Sequence, residues 1–359
     1  MLIQCTKKLL DALKIKPVQA PDEEPLFSWH ANLLTINRRK TLVLMNDSSR
    51  YLIVLHGLKA KDFKNLNTRI VDAIRETLLA DLIKPEIVER FLKHSSEIGY
   101  AKTKNRTMVA RLNKSCESVW VYSDELNPET MIQTAVSKRG NASLVGYGNG
   151  DYILPHELMY QELEAFAKEP LFSCQAATFK ATLVLDHHKI WRRVILPLSI
   201  TFKQLHAVLQ TLFDWQNYHL HDFYIYDGKK PVVNLVCSED AFDEPNDVPM
   251  TMETDKQLSD YVPKYSKLKY TYDFGDDWEH FIEIESINEN YPNNYPICLE
   301  GEGTAPPEDV GGEGGYDEFL EAMANPEHPQ HKSMVEWSQM QLYQDFDLEN
   351  VNSELKEWR

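Results

Sequence analysis

The chain is poor in cysteine and glycine, and almost without arginine in its second half. Its five cysteines (Cys5, Cys116, Cys174, Cys237 and Cys298) are scattered; the nearest two lie 58 residues apart and none forms a C-x-x-C pair. That excludes a disulfide framework and a zinc ribbon, and leaves reduced thiols in a cytoplasm as the expectation. No apolar run approaches the ~20 residues that span a bilayer. The opening MLIQCTKKLLDALKIKP lacks the apolar core and small-residue cleavage site of a signal peptide. No membrane association is expected.

What is present suits packed cores. Hydrophobic residues make up 43% and aromatics 11% of 359 residues, and at ~150 residues per domain the length suggests two domains. The formal charge is −17 and is unevenly spread. Residues 1–170 hold 24 Lys+Arg and 21 Asp+Glu; residues 171–359 hold 14 and 34, a net −20. Only Arg192, Arg193 and Arg359 are arginines in that second part. Such asymmetry predicts two units with different surfaces. A surface this acidic repels phosphate backbones, so direct nucleic-acid binding through the C-terminal part is not expected, and a basic protein partner is. The segment 165–177 is the expected junction, with a helix ending before Pro170; the domains are read as 1–168 and 172–359.

The pattern predicts α+β architecture, each domain a mostly antiparallel sheet with packed helices. In the first, Leu2 to Cys5 reads as a strand, with Thr6 a candidate cap for the helical turn that follows. Residues 29–57 read as a β-meander with polar turns at Asn37-Arg38-Arg39 and Asn46-Asp47-Ser48-Ser49. Phe63, Leu66, Ile70, Ile74, Leu78 and Leu82 form one helical face, a second helix starts at Pro85, and a third covers 107–118. Lys102, Lys104, Arg106, Arg111 and Lys114 form a strip without acids, a candidate contact for a phosphate backbone or an acidic surface, or simply a solvated face. In the second, Thr178 to Leu185 alternates as a strand, Ile190 to Leu196 forms another, and Thr201 caps a helix facing inward through Phe202, Leu205, Val208, Leu209 and Leu212. Residues 221–227 form a strand and 268–287 a hairpin turning at Gly275-Asp276-Asp277; helices close the unit at 316–324 and 348–358.

These residues also carry a likeness. IWRRVILP (190–197), TFKQLHAVLQTLFDWQNYHLHDF (201–223), YTYDFGDDWEH (270–280), YPICLEG (295–301), APPEDVGGEGGYDEFLEAMANPEHPQH (305–331) and FDLENVN (346–352) together resemble the plasmid pRiA ORF-three-like family. Members of that family are sometimes labelled insertion-element passenger TnpR-like proteins. The resemblance runs over about 172–358. QCTKKLL (4–10), SWHANLLTINRRKTLVLMND (28–47) and KNRTMVARLNK (104–114) are similar to a separate bacterial domain of unknown function. The resemblance implies an α+β fold, a prokaryotic cytoplasmic protein and a mobile-element origin. It implies no activity.

The candidate polar constellation is His219, His221, Asp273, Asp276, Asp277, His280, Glu308, Asp309, His328 and His331. His219 and His221 are two apart, so on one strand their imidazoles would share a face. Imidazole with carboxylate suits zinc or another transition metal; carboxylates alone suit magnesium or calcium. The metal candidates are His219, His221, Asp273, Asp277, His280 and Asp309, against the plainer reading that the acids cap turns and His280 is a bonded strand residue. Trp278 and Tyr316, with Phe274, could line a pocket beside the acids, and Arg106 and Arg111 are the binding candidates of the first domain. The run GEGTAPPEDVGGEGG (301–315) lacks Gly-Lys-Ser/Thr and carries four acids, so it does not read as a phosphate loop. The 325–337 segment is expected to be a helix-ending turn or a flap. A resolvase-type recombinase would need a nucleophilic serine and several arginines, which the acidic unit lacks. Two functions stay open: a binding or adaptor protein with an acidic interaction surface, and a metal-dependent hydrolase or nuclease. No cofactor beyond a divalent metal is indicated.

Overall fold

The computed structural model describes the chain except residues 20–22, 96, 104, 149, 244–245 and 358–359. It separates into two compact units, Met1–Ser173 and Cys174–Trp358. The α+β class holds in both.

In the first unit the elements are β1 (Leu2–Cys5), α1 (Lys7–Leu13), β2 (Ser28–Ile36), β3 (Arg39–Asn46), β4 (Leu52–Leu58), α2 (Leu66–Ala80), α3 (Pro85–Leu92), β5 (Gly99–Lys102), α4 (Arg106–Val121), α5 (Thr134–Asn141), β6 (Val145–Gly148), β7 (Asp151–Ile153) and α6 (Pro155–Ala167). The main sheet has the order β4-β3-β2-β1-β5. The meander β2–β3–β4 is antiparallel, as its alternating turns require, whereas β1 pairs parallel with both β2 and β5. β6 and β7 form a separate ribbon.

The runs in β3 and β4 are apolar on both faces because helices cover both. Leu42, Leu44, Ile53 and Leu55 pack into one core with α2 and α3, while Val43, Met45, Leu52 and Val54 pack into another with Met108, Leu112 and Val119 of α4. The expected helix over 61–82 is a 3₁₀ turn, Asp62–Asn65, followed by α2. Thr6 precedes α1 without capping it; its hydroxyl donates instead to Asn32 Oδ1 at 2.9 Å.

The second unit follows as β8 (Cys174–Leu183), β9 (Ile190–Pro197), α7 (Phe202–Phe213), β10 (His221–Asp227), β11 (Lys230–Val236), β12 (Met250–Met252), β13 (Lys267–Tyr272), β14 (Trp278–Tyr291), β15 (Ile297–Glu302), α8 (Gly312–Ala324), α9 (His331–Met340) and α10 (Leu348–Glu357). Its eight-stranded sheet runs β12-β11-β10-β13-β14-β8-β9-β15, antiparallel except for β11 with β12. One face is buried: Phe179, Ala181, Val194, Phe223, Tyr270 and Ile282 share a core with Phe202, Leu205 and Leu209 of α7, Phe319 of α8 and Leu355 of α10. Residues of opposite parity face outward, as pleating dictates, and Phe281 and Glu283 are exposed. Thr201 and Gln204 make the full reciprocal capping box at the start of α7. Arg192, though inside, donates to the carbonyls of Leu212, Trp191, Glu302 and Gly303, all at 2.9 Å.

The 325–337 segment divides into a turn and α9, so its second half is helix. All five cysteines are free thiols. Burial pushes Cys5 up to about 12, and Cys116 and Cys298 up to about 11, which keeps them as inert core groups. No helix of the described residues is long and apolar enough to cross a membrane.

Candidate functional site

Three loops meet at one end of the second sheet. The first, between α7 and β10, carries His219. The second, between β13 and β14, runs from Asp273 to Asp277. The third follows β15 and carries Glu308 and Asp309.

Hydrogen bonds tie them together. The Asp273 amide donates to Leu220 O at 3.0 Å, and the Gly311 amide to Asp276 Oδ2 at 3.0 Å. The indole N–H of Trp215 donates to Pro306 O at 2.9 Å. Glu308 is the central pin: its Oε1 accepts from the Gln216 amide at 2.7 Å and from the Tyr272 hydroxyl at 2.9 Å. Asp273 and Asp309 both sit in the left-handed region, at φ 53 and 57. Aspartate tolerates that conformation better than most side chains, and here it turns two carboxylates toward one point.

That point is the imidazole of His219. Its Nε2 lies 3.0 Å from Asp309 Oδ1, 3.6 Å from Asp273 Oδ2 and 3.7 Å from Glu308 Oε2. The Nε2 atom itself is buried, yet none of these contacts is aligned as a hydrogen bond. An unsatisfied buried nitrogen costs roughly 1–3 kcal/mol. The carboxylates are graded in exposure: Glu308 at 2%, Asp273 at 10% and Asp309 at 58% of the free side chain. Burial, with Asp309 nearby, holds the Glu308 carboxyl above its usual range against the pull of its donors.

One atom each from His219, Asp273 and Asp309 fits within 4.8 Å of the others, as a shared cation requires. Ligand atoms around a tetrahedral zinc stand ~3.3 Å apart, given bonds of ~2.0–2.1 Å. The observed separations from Nε2 bracket that value. The orphaned nitrogen and the mixed N/O donor set therefore fit a divalent transition metal.

The other sequence candidates go elsewhere. His221 does not join His219, because β10 begins at His221 and His219 lies in the loop before it, so the two share no strand face. The register places His221, Cys237 and Glu253 side by side across β10, β11 and the end of β12. His221 Nε2 meets both Glu253 oxygens at 3.1 Å, and its ring stacks on His206 with centroids 3.5 Å apart. Burial opposes charge on His221, but its contacts with Cys237 and Glu253 prevail and raise it to about 9. Burial and the facing His221 drive His206 down to about 3. Neither Glu253 nor His206 was legible as functional: one follows a three-residue strand, the other lies within an apolar helix face.

His280 is fully buried among Phe213, Trp215 and Tyr270, with Nδ1 3.2 Å from Trp278 O. Asp277 is exposed, and its amide donates to Asp273 O at 2.6 Å. Trp278 and Tyr316 are core residues rather than pocket walls: Trp278 packs near Trp215, and the Tyr316 hydroxyl donates to Thr304 O. Phe274 is exposed. His331 Nδ1 faces the Ala322 carbonyl at 2.8 Å, and His328 accepts from the Gln330 amide.

In the first unit the basic strip is interrupted. Arg111 bonds the Tyr147 carbonyl and lies over the Tyr147 ring, and Lys114 pairs with Glu117. Arg106 and Lys102 are exposed. Lys104 lies outside the described residues.

Comparison with known proteins agrees with this division. The domain of unknown function DUF6933 matches residues 2–158, and the plasmid pRiA4b ORF-3-like protein family matches residues 175–355. An uncharacterised protein, y4hQ of Sinorhizobium fredii, is 38% identical over 165 residues, covering 45% of this chain and 81% of that protein. A crystal structure of a protein of unknown function from Methanosarcina mazei, MM3350, shares 32% identity, covering 49% of this chain and 97% of that one, with a TM-score of 0.43. With the three loops of its site drawn from within 175–355, the chain belongs to the plasmid pRiA4b ORF-3-like family.

Proposed function

We propose that the second unit binds a divalent transition-metal ion through His219, Asp273 and Asp309, with Glu308 beside them, and that this centre serves a hydrolytic reaction. The observation that carries the reading is the buried, unbonded Nε2 of His219 facing three carboxylates. Bound there, such an ion would polarise a carbonyl or phosphoryl oxygen and acidify a water. Glu308 would hold or release a proton at its Oε2 edge, since burial favours its neutral form. Asp309, the most exposed member, opens the site to solvent.

Calorimetric titration of the chelator-treated full chain with zinc, manganese and magnesium tests this. One equivalent bound per chain is expected, at least tenfold weaker in Asp273→Asn and His219→Ala. No binding of any of the three ions, or equal binding by both variants, would sink the reading.

A second reading, an adaptor engaging a basic protein, is favoured by the −20 charge of residues 171–359. Four basic residues in or just beside the sheet are already engaged by acids: Lys189 with Glu302, Arg193 with Glu285, Lys267 with Glu283 and Lys269 with Glu279. The remaining acidic excess is available to an incoming cation.

A further inference from the structure

A cavity of about 250 Å³ lies against Asp309. Val310 from the loop, Glu318 and Phe319 from α8, and Met334 and Trp337 from α9 line it. Phe319 is 2% exposed, and Trp337 meets it edge-on with centroids 5.6 Å apart, so the aromatic wall is set by packing. The lining is therefore part apolar and part acidic. Its lining includes two carboxylates, Asp309 and Glu318, and no lysine or arginine.

Size and charge together select a ligand. An apolar cavity of ~150 Å³ accepts a benzene ring; the larger volume here admits a ring with a short chain. A metal ion at Asp309 would neutralise that carboxylate and leave Glu318, which has no ion-pair partner among the described residues, as the uncompensated charge of the lining. A phosphate or carboxylate group entering the cavity would be repelled by that charge, whereas an ammonium would be attracted by it.

We infer that this cavity is the ligand subsite of the His219–Asp273–Asp309 centre and accepts an apolar amine, its hydrocarbon body against Val310, Met334 and Trp337 and its ammonium toward Glu318. The inference rests on the metal reading for the word subsite, while the cavity's preference for an amine stands on its own lining. The substrate class it assigns to the centre is an amine-bearing apolar compound, such as an amino-acid amide, rather than a phosphodiester.

The test is calorimetry on the full chain, with and without zinc, using three probes that share one ring: phenethylamine, 3-phenylpropionate and phenyl phosphate. Phenethylamine is expected to bind at a ratio of one, with both anions at least tenfold weaker. Glu318→Gln, an exposed change that leaves folding intact, should weaken the amine at least fivefold, and Trp337→Phe should alter the fluorescence change on binding. Amine and anions binding alike, or no amine binding to a protein that takes up zinc, would overturn the inference and leave the metal centre standing. Amine binding to a protein that takes up no zinc would support the cavity's preference and remove the metal centre.

Discussion

Burial drives the His280 imidazole down to about 3, because a charged ring among Phe213, Trp215 and Tyr270 would lose its hydration. Unfolded, the same ring titrates near 6.5. Between those values the unfolded chain binds the extra proton, so stability is present above pH 6.5 and is lost as pH falls toward 3. The slope from one such group is about 1.4 kcal/mol per pH unit. Denaturant unfolding of His280→Leu between pH 7 and 4 should therefore show a shallower acid decline than the parent, by up to that slope; identical slopes would refute the assignment. The contrast with His219 marks what one residue letter conveys. Both histidines stood in the same candidate set, since sequence gives residue type and spacing. It does not say that a strand starts two residues after His219, nor that β14 turns His280 inward. Asp273 and Asp309 were legible as acids in turns, and their left-handed backbone, which turns them toward one point, was not.

Gly315 lies in the first turn of α8, and a Cβ there would collide with the carbonyl oxygen of Val310. That carbonyl belongs to the loop that carries Asp309. Replacing Gly315 with Ala forces either the helix or the loop to move, so the expected cost is about 1–3 kcal/mol of stability, as for other overpacked sites. The same displacement should weaken zinc binding severalfold although Gly315 is not a ligand. Calorimetry and chemical unfolding of the one variant check both; an unchanged pair of values would show that the loop absorbs the methyl freely. Elements with a strong period were readable in advance. The meander β2–β4, the capped start of α7 and the β13–β14 hairpin follow from apolar runs between polar turns, Thr201 ahead of an apolar helical face, and a Gly-Asp-Asp turn. α9 was not, because HKSMVEWSQM follows two prolines and its Gln330 cap makes no side-chain bond. β12, at three residues, carries no period at all.

At the scale of the molecule, the two-unit division was visible as a change of charge, and the acidity of the second unit predicts salt-sensitive attraction to polycations. Polylysine should bind the full chain at low ionic strength, and raising sodium chloride from about 20 to 200 mM should weaken it at least tenfold, since the Debye length falls from roughly 20 to 7 Å. Affinity indifferent to salt would argue against an electrostatic interface. What composition does not reveal is which loops meet, because His219, Asp273 and Asp309 are brought to one end of a sheet whose strand order departs from chain order. That order also governs how the protein is made. β8 lies inside the sheet between β9 and β14, and its register with β14 extends to Tyr291. On the ribosome, β8 and β9 emerge as a lone hairpin whose inner edge waits for a strand translated long afterwards. Until that strand arrives the nascent unit has unsatisfied backbone and uncovered apolar surface along β8, and its three-loop site can take shape only after Asp309 has been added to the chain.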